Sequence, residues 1–199
     1  MPRKPIQLQS DFPYHVFNRI MDQQFFGVPM QLVWEACEHY LFETKILYGV
    51  RIHAFVLMGN HFHLVLSTPE CNLSDAMEYF QSRIARQISA LRGGSSVRFQ
   101  ARYRWSIVKT ESYFLNLMAY VYLNPVRAGI VKHPQNYKFS SLIGLIGKGV
   151  LRIPIAAHSL AENWFWDDPF QMVDWFSTTV AAVLPEKITR GLRRPVFSI

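Results

Sequence analysis

Cysteine is scarce in this chain. Cys37 and Cys71 are the only two among 199 residues, and they are too far apart to form a C-x-x-C pair. Disulfide frameworks and zinc knuckles need several cysteines at closer spacing. The sequence therefore excludes a disulfide-stabilised scaffold and fits a reducing cytoplasm.

Long apolar runs are also missing. The start, MPRKPIQLQSDFP, is basic but lacks the apolar region of a signal peptide. No later stretch reaches the ~18 consecutive apolar residues that a membrane-spanning helix needs. We therefore expect a cytoplasmic protein with no membrane partner.

Acidic residues are outnumbered by basic ones. The chain has 14 Asp and Glu against 21 Lys and Arg, a formal charge of +7 and an isoelectric point near 9.6. Such a balance favours a polyanionic partner such as nucleic acid, although a basic protein without one fits the charge equally well. The chain also lacks a G-x-x-x-x-G-K-[ST] phosphate-binding loop.

Hydrophobic periodicity predicts a regular order of strands and helices. Residues 14–20 alternate as in a strand, and residues 30–47 carry one apolar helical face. Residues 50–58 and 61–67 are two further strands, which the short Gly59-Asn60 connection joins into a β-hairpin.

A second helix begins at residue 72 or 74 and runs to residue 91, and a strand follows over residues 103–109. A third helix over residues 111–123 should end near Pro125, because the residue before a proline avoids the α region. The predicted class is α+β: a ferredoxin-like βαββαβ sandwich, an antiparallel sheet with helices on one face, plus one additional helix.

The composition changes at residue 144, where the Gly-rich stretch GLIGKGVLRIP begins. Asp167 or Asp168 is a candidate cap for a later helix that has Pro169 in its first turn. We therefore divide the chain into a main domain, residues 1–143, and an accessory C-terminal helical segment with a basic tail, residues 144–199.

Two histidines interrupt the third predicted strand, in VLMGNHFHLVLS. Side chains at i and i+2 of a strand share a face, so His61 and His63 should project together while Phe62 points to the opposite layer. Two adjacent imidazoles supply half of a metal site, and they also fit a polar, solvent-facing sheet surface. His15 and His53 are further ligand candidates by residue type.

The third helix can supply more polar groups. Tyr120 and Asn124 are four residues apart and face the same direction on a helix. A helix lying across the sheet would bring this phenol and amide towards the imidazoles. Spacing alone leaves Tyr113, Tyr120 and Tyr122 equally eligible to be core tyrosines.

Three stretches in this order carry a family resemblance: YHVFNRIMDQQFF, GNHFHLVLS and AYVYLNPVRAGIVKHPQNYKFSS. The chain resembles the single-tyrosine HUH transposases, and within them the REP-associated tyrosine transposases. Gly59 stands where that family usually has proline, and Ile20-Met21 replaces the usual glycine after Asn-Arg. The resemblance implies a bacterial, nucleoid-associated enzyme acting on single-stranded, hairpin-forming DNA as a monomer or a homodimer.

The resemblance also implies roles for four residues. His61, His63 and Asn124 would bind a divalent metal, and Tyr120 would be the nucleophile that forms a 5′-phosphotyrosine intermediate. Two imidazoles by themselves suit zinc or another transition ion, whereas the resemblance implies Mg²⁺ or Mn²⁺. Tyr122 is the alternative nucleophile, but it lies about 200° around the helix from Tyr120 and should face away.

Basic and aromatic side chains alternate around the second helix and fourth strand, an arrangement that suits single-stranded nucleic acid. Arg127 follows the tyrosine helix and could contact the phosphate or cap that helix. The basic tail, with Lys187 and Arg190, is a hypothetical clamp on a DNA hairpin. The predicted DNA-binding residues are Arg83, Arg86, Arg98, Arg102, Arg104, Arg127, Arg193 and Arg194.

Together with the resemblance, these observations predict a metal-dependent single-strand DNA endonuclease and strand transferase, a transposase with a tyrosine nucleophile. One alternative is a domesticated, non-cleaving DNA- or RNA-binding protein of the same fold. Another is a metallophosphoesterase in which water attacks the phosphate instead of the tyrosine.

Overall fold

A four-stranded antiparallel sheet forms the centre of the protein. The computed structural model describes residues 6–100, 102–161, 169–178 and 185–197. The strands lie in the order β2-β3-β1-β4 across the sheet. Their bounds are β1 Tyr14–Arg19, β2 Arg51–Leu57, β3 His61–Ser67 and β4 Arg104–Ile107.

Helices cover both faces of this sheet. The long helices are α1 Met30–Tyr48, α2 Leu73–Leu91 and α3 Glu111–Arg127. Shorter ones are α4 Leu142–Leu145, α5 Pro169–Thr178 and α6 Pro185–Gly191. The helices α1 and α2 pack against each other, and α3 packs on β2 and β3. The predicted α+β, ferredoxin-like order with an additional helix is confirmed.

Strand alternation separates an apolar layer from a polar one. Phe62 packs edge-on against Phe80 of α2, with ring centroids 5.5 Å apart. Its neighbour His63 points the other way and meets Tyr120 of α3 at 5.6 Å. The polar face of the sheet therefore lies under α3.

The third helix extends further than the prediction. It continues through Pro125 to Arg127, whereas the prediction ended it at residue 123. The prolyl ring sits in the last turn, where it removes a single hydrogen bond. The N–H of Ala128 still donates to the carbonyl of Asn124 at 3.0 Å, which closes that turn.

The segment after residue 143 lies along both sheet edges. The N–H of Ile107 in β4 donates to the Pro195 carbonyl at 2.8 Å, and the N–H of Phe197 donates back to Ile107 at 2.7 Å. At the opposite edge, the N–H of Ala156 donates to Ile52 of β2 at 2.7 Å. The division at residue 143 stays a prediction. Helix α5 begins at Pro169 as expected, while Asp167 and Asp168 lie outside the described residues.

None of the helices in the described ranges has both the length and the apolar character to cross a membrane.

Acid should destabilise the fold through His53. This side chain is buried, and both of its ring nitrogens are hydrogen-bonded. Nδ1 lies 2.8 Å from the Ala156 carbonyl oxygen, and Nε2 lies 2.8 Å from Ser67 Oγ. Burial lowers the pKa of His53 to about 4, against 6.5 ordinarily. The unfolded chain therefore takes up a proton first as the pH falls, so stability is full above pH ~6.5 and decreases towards pH ~4.

We expect His53 to contribute a loss of about 2 kcal/mol in the free energy of unfolding by pH 5 and about 3 by pH 4. Urea unfolding at pH 7.5 and pH 5, compared between the wild type and a His53 variant, separates this loss from that of the other buried histidines. The His53→Gln variant, which has no titrating imidazole, should lose less stability over this interval by that amount. An equal pH dependence in the variant and the wild type would contradict the assignment.

Candidate active site

A cavity of about 410 Å³ lies between the polar face of the sheet and the end of α3. Histidines and arginines dominate its lining, and no described residue that lines it is Asp or Glu. Its lining residues are His15, Phe17, Arg19, Met58, His61, His63, Arg104, Tyr120, Asn124, Arg127, Ala128, Leu192 and Arg193. We call this space the polar cavity.

The two strand histidines both face the polar cavity. Their ring centroids are 5.3 Å apart, and in the strand pairing His61 lies opposite Arg19 and His63 opposite Phe17. His63 is buried, whereas His61 is half-buried. Burial lowers the pKa of His61 to about 4 and that of His63 well below 6.5, so both rings are neutral at pH 7.

Asn60, which sequence reasoning did not single out, orients His61. The Nδ1 of His61 lies 2.7 Å from the side-chain oxygen of Asn60. That oxygen can only accept a hydrogen bond, so Nδ1 carries the proton. The lone pair of Nε2 is therefore free for another partner. Sequence position could have suggested Asn60, because it directly precedes the histidine.

Tyr120 and Asn124 reach the polar cavity from α3. The Tyr120 ring stands edge-on to His63, with centroids 5.6 Å apart. Asn124 donates its amide N–H to the Tyr120 carbonyl at 2.8 Å, which leaves the amide oxygen of Asn124 as an acceptor. The structure thus brings together the four residues to which the resemblance gave chemical roles.

The other two candidate tyrosines point elsewhere. Tyr122 is buried on the far side of α3, with its hydroxyl 3.1 Å from Ser141 Oγ, and burial raises its pKa. Tyr113 packs against Phe197 with ring centroids 5.3 Å apart. Of the three tyrosines, Tyr120 alone lines the polar cavity.

His15 lies directly behind His63. Its Nε2 is 3.0 Å from Nδ1 of His63, and the two rings are nearly parallel, at 14°. Its ring also stands edge-on to Tyr120, at 6.3 Å between centroids. Burial lowers the pKa of His15 to about 3. The sequence named His15 as a ligand candidate by residue type, and the pairing of β1 with β3 places it in contact with His63.

Arg127 covers the tyrosine. Its guanidinium carbon lies 5.2 Å from the centre of the Tyr120 ring. The Nη1 atom is buried, and no described residue accepts a hydrogen bond from it. Burial lowers the pKa of this guanidinium. An anion in the polar cavity would supply the acceptor that Nη1 lacks.

The remaining predicted arginines divide into two groups. Arg104 and Arg193 line the polar cavity and also an adjoining groove of about 960 Å³, which Arg102 and Trp105 line as well. By contrast, α2 carries Arg83 and Arg86 on the opposite face of the sheet. Arg98 precedes β4, and neither it nor Arg194 lines either space.

The donor set fits a weak divalent-cation site. Among the described residues, no three His, Cys, Asp or Glu side chains are arranged to hold a metal ion. The available donors are instead two imidazole nitrogens and one amide oxygen, all neutral. Hydrogen bonds to neighbouring residues orient these groups. They could therefore hold a cation and leave coordination positions for phosphate and water.

Sequence comparison finds a related protein. No protein-family model matches the chain. A curated protein of Haemophilus influenzae, which carries the provisional name REP-associated tyrosine transposase, is 25% identical over 54% of this chain. The chain spans 62% of the length of that relative.

Structural comparison finds the same group. The solved structure of the REP-associated tyrosine transposase bound to a REP hairpin superposes with a TM-score of 0.63 at 18% identity, covering 79% of this chain and 93% of the other. At this identity the match shows the fold. The resemblance predicted from the motifs is therefore confirmed: this chain is similar to the REP-associated tyrosine transposases in sequence and in fold.

Proposed function

We propose that this protein is a metal-dependent single-strand DNA endonuclease and strand transferase with Tyr120 as its nucleophile. The observation that carries the proposal is the placement of Tyr120. Its ring lies against His63 and under Arg127, in a cavity lined by histidines and arginines. A phosphodiester fits this surrounding, because its oxygens accept hydrogen bonds and carry negative charge.

The transfer step needs no nucleotide triphosphate. Tyr120 Oη forms a bond to phosphorus while the bond from phosphorus to the 3′ oxygen breaks. The phenol proton leaves to water, and the 3′ oxygen takes up a proton. The products are a 5′-phosphotyrosine and a free 3′-hydroxyl, which conserve the diester for rejoining.

His61, His63 and Asn124 are the residues that would hold Mg²⁺ or Mn²⁺. When bound, such a cation would supply positive charge that stabilises the charge developing on the phosphate during transfer. Arg127 donates to the same phosphate from the side of α3. The neutral state of both imidazoles supports this role, since only an unprotonated nitrogen binds a metal.

The substrate we propose is single-stranded DNA with a hairpin. Arg102, Arg104 and Arg193 line the groove that continues from the polar cavity, so a backbone could follow them. Trp105 in the same groove offers a face for stacking a base. The structurally similar transposase is itself bound to a REP hairpin, which supports a hairpin here.

Label position tests this function directly. Hairpin oligonucleotides would carry a label on either the 3′ or the 5′ side of the cleaved bond and be incubated with the full chain and Mn²⁺. We expect a denaturant-resistant protein–DNA product that carries only the 3′-side label. No covalent product, with binding retained, would favour the non-cleaving alternative.

Metal and hairpin should bind cooperatively. Arg19, Arg104, Arg127 and Arg193 surround ligands that carry no negative charge, so a free cation is repelled. A DNA phosphate offsets that charge, and we expect it to tighten Mn²⁺ binding by about 5- to 150-fold.

Titration of Mn²⁺ by electron paramagnetic resonance, with and without hairpin, measures this coupling. The Tyr120→Phe protein would be used to prevent cleavage. Linkage requires Mn²⁺ to tighten hairpin binding by the same factor. Equal Mn²⁺ dissociation constants with and without hairpin would contradict the prediction.

A further inference from the structure

We propose that His15 is a positioning residue: it accepts a hydrogen bond from Nδ1 of His63 and so leaves the Nε2 lone pair of His63 free to face the polar cavity. The inference rests on the proposed function to the extent that this lone pair is there to bind the divalent cation. His15 also lines the polar cavity, and its proposed role is to act through His63 rather than to bind the cation itself.

The rings of His15 and His63 are joined by one hydrogen bond, which contains one proton. His15 Nε2 and His63 Nδ1 are 3.0 Å apart, and the side chains are 4% and 3% exposed. None of the described residues that line the polar cavity is acidic, so nothing there compensates an imidazolium. Both rings are therefore neutral, and the hydrogen bond between them contains a single proton.

That proton has two possible positions, with opposite consequences for the site. If His15 donates it, the Nδ1 lone pair of His63 is occupied and its Nε2 carries a proton. His63 then has no nitrogen for a metal. If His63 donates it, Nε2 has a lone pair and can bind a cation.

The second arrangement requires a proton on Nδ1 of His15, and an unpaired hydroxyl lies on the neighbouring strand. Ser106 of β4 pairs directly with His15 of β1, so the two side chains share a face of the sheet. Its hydroxyl is fully buried, and no described residue hydrogen-bonds to it. The register therefore places on the same face as the His15 ring a hydroxyl to which no described residue, His15 included, hydrogen-bonds.

The other two candidate ligands are held in the same way. Asn60 accepts from Nδ1 of His61, and the Tyr120 carbonyl accepts from the amide N–H of Asn124. In each case a hydrogen bond uses the N–H that faces away from the proposed cation. The lone pair of the other nitrogen or oxygen then faces the cation. His15 completes this pattern for His63.

Imidazole ¹⁵N spectra of the metal-free full-length chain test the inference without any variant. We expect His63 to show a protonated Nδ1 and an unprotonated Nε2. A protonated Nε2 on His63 would overturn the proposal. This measurement reports the tautomer alone, so it stays valid whether or not the chain cleaves DNA.

Two variants then test the consequence for the cation. In His15→Gln the amide oxygen can still accept from Nδ1 of His63, whereas His15→Phe has a ring but no acceptor. With hairpin present, we expect His15→Phe to weaken Mn²⁺ binding by about 10- to 100-fold and His15→Gln to restore most of it. Wild-type affinity in a folded His15→Phe protein would overturn the proposal.

The experiments can contradict the proposed metal site and the proposed role of His15 independently of each other. A wild-type chain that shows the expected His63 tautomer but binds no Mn²⁺ would remove the metal site and leave the role of His15 on His63 intact. A chain that binds Mn²⁺ and has the opposite tautomer would remove the role of His15 and leave the metal site.

Discussion

Replacing Tyr120 with phenylalanine should abolish the covalent protein–DNA product. The substitution removes one oxygen, the atom proposed to attack phosphorus. It keeps the ring that packs on His63 and under Arg127. Folding and hairpin affinity should therefore be nearly unchanged. Denaturing gels with a 3′-side label measure the product, and a loss of at least about 10³-fold is expected for a missing nucleophile.

Tyr122→Phe is the matched control, because it removes the same atom from the same helix two residues away. Its hydroxyl contacts Ser141 on the side of α3 that faces away from the polar cavity. We expect normal product formation and a loss of about 1 kcal/mol in stability from the missing hydrogen bond. The opposite result, with product in Tyr120→Phe and none in Tyr122→Phe, would assign the nucleophile to Tyr122.

The same two variants distinguish attack by Tyr120 from hydrolysis by water. If water attacks the phosphate, Tyr120→Phe should still cut the hairpin and no covalent product should appear in the wild type. Cleavage that depends on the Tyr120 hydroxyl would exclude that mechanism.

Replacing Arg127 with methionine should slow covalent product formation by about 10²-fold, the usual effect of losing one hydrogen-bond donor to a transition-state oxygen. The guanidinium lies over the Tyr120 ring, and its buried Nη1 has no acceptor among the described residues. Both observations place its charge in the polar cavity, beside the proposed nucleophile. Single-turnover kinetics with saturating hairpin measure the rate constant.

Arg127→Lys and Arg152→Met are suitable controls. Lysine keeps the charge but loses the planar, two-pronged donor, so an intermediate rate is expected. Arg152 is exposed and lines neither the polar cavity nor the adjoining groove, so its replacement changes net charge equally without touching the site. An Arg127→Met rate equal to that of Arg152→Met would show that Arg127 acts through overall charge.

Local patterns predicted most of the elements well. The bounds predicted for the third strand are those of β3, which begins directly after the Gly59-Asn60 turn and ends two residues before Pro69. The end of α3 was predicted four residues early, since the rule about the residue before proline has less force in a last turn. Sequence spacing also placed His61 and His63 on one face, as the structure has them.

The choice among tyrosines could not come from spacing. Tyr113, Tyr120 and Tyr122 lie on one helix, and their roles depend on which side of α3 meets the sheet. Only the packed structure shows that Tyr120 faces the imidazoles while Tyr122 enters the core. Likewise, helical spacing could not show that Arg83 and Arg86, which are on α2, lie across the sheet from the polar cavity.

By itself, the sequence determined the order of elements and the chemical groups that each face presents, since both follow from periods of 2.0 and 3.6 residues along the chain. Tertiary structure alone decided which groups meet. His15 and His63 are 48 residues apart, and their hydrogen bond exists because β1 pairs with β3 in one register. A shift by one residue would turn His15 to the opposite face. Local sequence patterns carry no information on which strands pair, so only the folded sheet shows that His15 is the partner of His63.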